Sequence, residues 1–92
     1  MEDLNDLYYF AKVVEYGGFA PAERAIGIPK SKLSRRVASL EDRLGVRLLN
    51  RSSRQFSVSE IGGQYYEHCN AMLIEAESAQ EAIDTVRAEP RG

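Results

Sequence analysis

The stretch Pro29-Lys30-Ser31-Lys32-Leu33-Ser34-Arg35-Arg36-Val37-Ala38-Ser39-Leu40-Glu41-Asp42-Arg43-Leu44-Gly45 decides the fold. Leu33, Val37, Leu40 and Leu44 recur at i, i+4, i+7 and i+11, a narrow apolar stripe on one side of an α-helix. At about 100° per residue, Ser31, Ser34, Arg35 and Ala38 point away from that stripe, and Lys32 and Arg36 lie on its flank. The spacing therefore predicts a helix with a buried back and a cationic front of small side chains. Such a front suits a DNA major groove, where Arg and Lys reach guanine and Ser reads either sense of base edge.

Working outward toward the N-terminus, Gly27-Ile28-Pro29 reads as a tight connection, because Gly tolerates positive φ and the residue before Pro is pushed out of the helical region. A short helix from about Pro21 to Ile26 precedes it, with Pro at its first position and Ala22, Ala25 and Ile26 inward. Before that, Leu4, Leu7, Ala11 and Val14 mark a helix capped by Asp3 and stopped at Gly17-Gly18, with Tyr8, Phe10, Tyr16 and Phe19 as its aromatic core contribution. A short helix, a glycine turn and a basic-faced helix make a helix-turn-helix pattern. On the other side, Val46–Arg51 and Gln55–Val58 read as two short strands of a wing around Ser52-Ser53-Arg54, with Arg51 at its base and Arg54 at its tip.

Ser59 is a good N-cap, and a helix is expected from there to about Arg87, with Gly62-Gly63 in its first turn pointing to close backbone packing. Tyr65, Cys69, Met72, Ala76, Ala79, Ile83 and Val86 are spaced 4, 3, 4, 3, 4, 3, a heptad seam, and the opposite face is acidic. A helix of roughly 40 Å outreaches a 60-residue head domain, so its seam predicts a homodimer. The expected fold class is mainly α: a winged helix-turn-helix of three helices and a two-stranded wing over residues 1–58, a dimerisation helix over 59–87, and residues 88–92 opening a linker.

The net charge of −2 hides a sharp division. Residues 1–29 carry net −3, residues 30–54 carry +6 and residues 55–92 carry −5. A focused cationic surface between acidic flanks favours a polyanion held at one place over loose attachment. Cys69 is the single cysteine, so an internal disulfide is excluded and a reducing compartment is expected. No apolar run approaches a membrane span, and the acidic start lacks the basic region of a signal peptide. A cytoplasmic protein without membrane attachment is the expectation.

Three blocks in order, Leu7 through Phe19, Leu33-Ser34-Arg35-Arg36-Val37 with Leu40-Glu41 and Leu44 through Leu49, and Arg51-Ser52-Ser53-Arg54 leading to Ser59-Glu60-Ile61-Gly62, resemble the N-terminal domain of LysR-type transcriptional regulators over nearly the whole chain. The resemblance implies a winged helix-turn-helix, a dimerising linker helix, and a C-terminal effector-binding domain that these 92 residues do not contain, so the chain reads as a fragment, with any small-molecule effector acting only through that absent domain. It further implies DNA contacts from Lys30, Ser31, Ser34 and Arg35, and Arg54 directed at a minor groove; Lys32, Arg36, Arg51 and Ser53 join them, chiefly at phosphates. Pro29 and Lys30 depart from the family pattern, and Ala20, where a capping hydroxyl is frequent, and Pro21 weaken the family's usual phosphate contact at the second helix. Pro29 stands where a capping Ser or Thr is usual, and Lys30 where Gln is common.

The function expected is sequence-specific binding of double-stranded DNA, as a homodimer on an interrupted palindrome, with no cofactor and no catalysis. The alternative is a dimeric winged-helix module that binds an acidic protein. Catalysis lacks candidates, since Ser34 has no partnering base and His68-Cys69 are adjacent residues facing different directions without a further metal ligand.

Overall fold

The computed structural model describes residues 1–51 and 54–89. Within them the chain forms α1 (Leu4–Tyr16), α2 (Phe19–Ile26), α3 (Lys30–Leu44) and α4 (Glu60–Ala88). The caps explain most boundaries. Asp3 accepts from the Asn5 amide at 2.8 Å, and Ser59 Oγ accepts from the Gly62 amide at 3.0 Å, each satisfying one of a helix's orphan donors. α2 begins two residues before the expected Pro21, so Pro21 takes the third helical position, still within the turn whose N–H groups have no intrahelical acceptor. Its expected inward side is smaller as well: Ala22 is buried and Ile26 half-buried, but Ala25 is exposed.

The stripe on α3 forms the centre of the head. Leu33, Val37 and Leu40 are fully buried, each contributing about 1.5–3 kcal/mol by removal from water. Val37 and Leu40 join Phe10, Ala11, Leu48, Leu49 and Cys69 in one cluster, while Leu33 packs with Val13 and Ala22 in a second. Phe19 and Phe56 touch both clusters and meet edge to face with ring centroids 6.4 Å apart. Tyr16, expected in this core, is 43% exposed.

The expected two-stranded wing reduces, among the described residues, to a single antiparallel bridge between Leu49 and Val58. Flanking bonds run from the Asn50 amide to the Ser57 carbonyl at 3.1 Å and from the Ser59 amide to the Leu48 carbonyl at 2.9 Å. The amides of Leu48 and Leu49 both donate to one oxygen of the buried Glu41 carboxylate, at 2.8 and 3.1 Å, and of the two it is the Leu48 amide, opposite Ser59, that is thereby lost to the ladder. Leu48 and Leu49 are also both buried, so the alternation of a strand with one wet face is lost there.

The first turns of α4 lie against the head. A Cβ on Gly62 would sit 2.0 Å from the Leu48 carbonyl oxygen, whereas one on Gly63 meets nothing within 4 Å, so the close packing expected of the pair belongs to Gly62 alone. Tyr65 packs on Phe10 at a centroid distance of 5.9 Å, and Cys69 is 1% exposed. Beyond Leu73 every described residue is exposed, and the 29-residue helix gives the molecule an extent of 61 Å. No described helix is long and apolar enough to cross a membrane.

Candidate nucleic-acid interface

The turn Gly27-Ile28-Pro29 sets how α3 leaves α2. Gly27 adopts φ 73°, a left-handed conformation that Gly takes without penalty, and its amide closes α2 by donating to the Glu23 carbonyl at 2.9 Å. Pro29 is the N-cap of α3 and supplies no side-chain acceptor; its carbonyl takes the amides of Lys32 and Leu33, both at 3.0 Å. The missing cap comes from α2, where a Glu23 carboxylate oxygen accepts the Lys30 amide at 3.1 Å.

With its back buried, α3 turns a front to solvent on which Lys30, Ser31 and Arg35 are exposed and Ser34 is half-buried. None of these four side chains has a hydrogen-bond or ion-pair partner among the described residues. Lys32 differs, since its Nζ lies 5.7 Å from the Tyr9 ring centroid, over a face whose quadrupole attracts a cation. Arg54 is exposed and unpartnered among the described residues, as is Arg24 on α2, a lone cation that no local sequence pattern singles out. Ser53, expected to contact DNA, lies outside the described residues.

Two expected phosphate contacts are engaged inside the protein. Arg36 Nε donates to Asp6 Oδ1 at 2.6 Å and its Nη2 to Asp3 Oδ2 at 3.0 Å. Asp6 is 2% exposed and also receives Arg43 Nη2 at 2.5 Å, while Arg43 Nε reaches Glu2 at 2.7 Å. The hydrogen bond that Arg36 donates to Asp6 holds the guanidinium still more firmly protonated. These contacts bind the start of α1 to α3, and they neutralise Arg36 and Arg43 locally. Arg51 likewise pairs with Glu41. Burial alone would raise the Glu41 carboxyl, but the Arg51 guanidinium and the two leucine amides outweigh it and hold the group below its ordinary range.

The effect is to sort the positive charge of residues 30–54. Arg36, Arg43 and Arg51 assemble the head, and Lys30 and Arg35 remain available on the front of α3. Local pattern could not reveal Asp6 as the partner of two arginines thirty or more residues away. A signal for Glu41 did exist: at i+4 from Val37 and i−3 from Leu44 it occupies the buried stripe, where a carboxylate requires partners.

On α4, the expected dimer seam divides. Tyr65 and Cys69 face the head core, so Cys69 is closed to a second chain; its thiol is pushed up to about 11 by burial. Met72 is half-buried, and Ala76, Ala79, Ile83 and Val86 are exposed, with Ile83 at 56% and Val86 at 60%. Among the described residues no group of three His, Cys, Asp or Glu side chains could hold a metal ion.

The lysR-family model of bacterial regulatory helix-turn-helix proteins matches residues 4–63. An HTH-type transcriptional regulator of Xanthomonas campestris pv. campestris (strain 8004) is 46% identical over 90 residues, which cover 98% of this chain and 26% of that protein. The DNA-binding domain of BenM in complex with catB site 1 DNA superposes with a TM-score of 0.85 at 28% identity, covering 98% of this chain and 100% of that one. CrgA of Neisseria meningitidis, a LysR-type transcriptional regulator, superposes at 0.78 with 37% identity over 100% of this chain and 31% of its own. The chain thus spans about a quarter to a third of the length of the Xanthomonas and Neisseria relatives. The buried stripe of α3, the glycine turn before it, the long α4 and the match over residues 4–63 agree: the chain belongs to the LysR family of bacterial regulatory helix-turn-helix proteins.

Proposed function

We propose that this chain binds double-stranded DNA sequence-specifically, as the DNA-reading part of a transcriptional regulator, with α3 in the major groove. The observation that carries the proposal is the sorting of charge on α3: Arg35, Ser31, Ser34 and the Lys30 ammonium stand on its front without partners among the described residues, while Arg36 and Arg43 are held by carboxylates. The superposition on the BenM domain, solved with DNA, supports it. In this reading Arg35, Ser31 and Ser34 meet base edges, Lys30 meets a base or a phosphate, Lys32 reaches a phosphate past Tyr9, and Arg54 enters the adjacent minor groove. Arg36 and Arg51 contribute by shaping the surface more than by neutralising phosphate.

Residues 1–58 form the reading head and 59–87 the dimerisation helix, two copies of which meet along Met72, Ala76, Ala79, Ile83 and Val86. A two-fold dimer places two recognition helices on a palindrome interrupted by a spacer. Residues 88–92 read as the start of a linker, and any small-molecule effector acts through a C-terminal domain outside these 92 residues. Regulation of this kind requires no catalytic step. Selection of duplexes from a randomised pool, followed by fluorescence anisotropy against a scrambled duplex over a series of salt concentrations, tests the proposal. Enrichment of a palindromic sequence with steep salt dependence is expected. Binding that is independent of both sequence and salt contradicts it.

A further inference from the structure

We infer that Glu23 is the positioning residue for the base-reading start of α3, so that part of this protein's operator selectivity is set from α2 rather than from the recognition helix itself. The inference rests on the reading of α3 as the DNA-contacting helix. Helix N-termini leave amides without intrahelical acceptors, and a Ser, Thr, Asp or Asn at the cap ordinarily takes one of them. Pro29 has neither a side-chain acceptor nor an N–H, so the helix that carries Lys30 and Ser31 starts without its usual fastening. Glu23 replaces that fastening from seven residues upstream, its carboxylate accepting the Lys30 amide at 3.1 Å.

The same residue closes the preceding helix, since its main-chain carbonyl accepts the Gly27 amide at 2.9 Å. Glu23 thereby grips both ends of the turn, one with its backbone and one with its side chain. An anionic acceptor also complements the positive end of the α3 dipole. Ala22 beside it is fully buried, so the α2 backbone that carries the carboxylate is fixed against the core. The direction in which Lys30 and Ser31 project is therefore a function of Glu23, although Glu23 itself presents no cation or neutral donor to a phosphate or base.

The test uses the 92-residue chain and three variants, Glu23→Gln, Glu23→Ala and the double variant Glu23→Ala with Pro29→Ser, with circular dichroism confirming that each is folded. On the duplex selected by the wild type, Glu23→Ala is expected to lose about five-fold in affinity, the value of one capping hydrogen bond, with no loss on scrambled DNA. Glu23→Gln, which keeps an acceptor oxygen, retains most of the affinity, and Pro29→Ser restores it in the Glu23→Ala background by returning a cap to α3. Equal losses on both duplexes, or no rescue by Pro29→Ser, overturns the inference. A readout without DNA separates it from the broader reading: the Lys30 amide, held by the Glu23 carboxylate at 3.1 Å, is expected to be protected from hydrogen exchange in the wild type and in Glu23→Gln and to lose that protection in Glu23→Ala. A Lys30 amide indifferent to Glu23 refutes the positioning role even if DNA binding holds. Should the amide respond while the wild type fails to discriminate between duplexes, the DNA reading falls and with it the selectivity assigned to Glu23.

Discussion

Two adjacent glycines in the first turn of α4 make opposite predictions. A methyl added at Gly62 would lie 2.0 Å from the Leu48 carbonyl oxygen, 2.9 Å from its carbon and 2.7 Å from Val58 Cγ1. The carbonyl cannot step aside cheaply, because it accepts the Ser59 amide at 2.9 Å and the Ser59 hydroxyl at 3.1 Å, while the Leu48 amide is tied to Glu41. Overpacking of this kind costs about 1–3 kcal/mol, and an overlap with pinned backbone belongs at the upper end. The intrinsic helix preference of Ala over Gly returns about 1 kcal/mol, leaving Gly62→Ala destabilised by roughly 2 kcal/mol. For a domain of this size that lowers Tm by about 10 °C. At Gly63 the added methyl meets nothing within 4 Å, so Gly63→Ala keeps only the helix gain and raises Tm by a few degrees. Thermal unfolding followed by circular dichroism, at one chain concentration for all three proteins, reads both shifts. Shifts of the same sign, or a Gly62→Ala protein as stable as wild type, would show that α4 does not dock on Leu48 as described.

Three further outcomes follow from buried groups and from the exposed end of α4. Glu41 has a depressed folded pKa, so its stabilisation is present above the ordinary carboxylate value of 4.5 and is lost as pH falls through the lower folded value. Urea titrations at several pH values should show wild-type stability falling with acidification below that region, and a flatter acid limb for Glu41→Gln; parallel limbs for the two proteins contradict the assignment. Cys69, buried and with its thiol pushed up to about 11, should resist a thiol-specific reagent at neutral pH and react on unfolding. Immediate modification of the native chain would place α4 off the head. Sedimentation equilibrium at high micromolar concentration should find a wild-type dimer and a monomeric Ala79→Glu; a wild-type monomer removes the α4 interface.

Much of the fold can be read locally because its helices are bounded by local chemistry. Asp3, Gly17, Gly27, Gly45 and Ser59 each act within a few residues of their own position, and the stripe Leu33-Val37-Leu40 needs only the helical period to declare its buried side. What resisted reading is long-range. The partnership of Arg36 and Arg43 with Asp6 spans thirty and thirty-seven residues, and a run of basic residues looks the same whether its members face phosphate or a buried carboxylate. Alternation at Phe56 and Val58 suggests a ladder, of which the described residues hold the single Leu49–Val58 bridge, and the Leu48 amide beside it is taken by Glu41, a partner no local pattern reveals. The heptad seam is continuous in sequence, yet its first two members serve the head, since the same apolar face that could meet a second helix meets Phe10 first.

The most direct test of the central claim compares Arg35→Ala with Arg36→Ala on a selected and a scrambled duplex across a salt series. Among the described residues Arg35 stands unpartnered on the front of α3, and Arg36 is held by Asp6 and Asp3. Loss of Arg35 should therefore weaken binding to the selected duplex by about ten-fold or more and narrow its advantage over the scrambled one. Loss of Arg36 should lower thermal stability while leaving the salt slope and the selectivity of the folded protein close to wild type. A reduced salt slope for Arg36→Ala together with unchanged selectivity for Arg35→Ala would contradict the account.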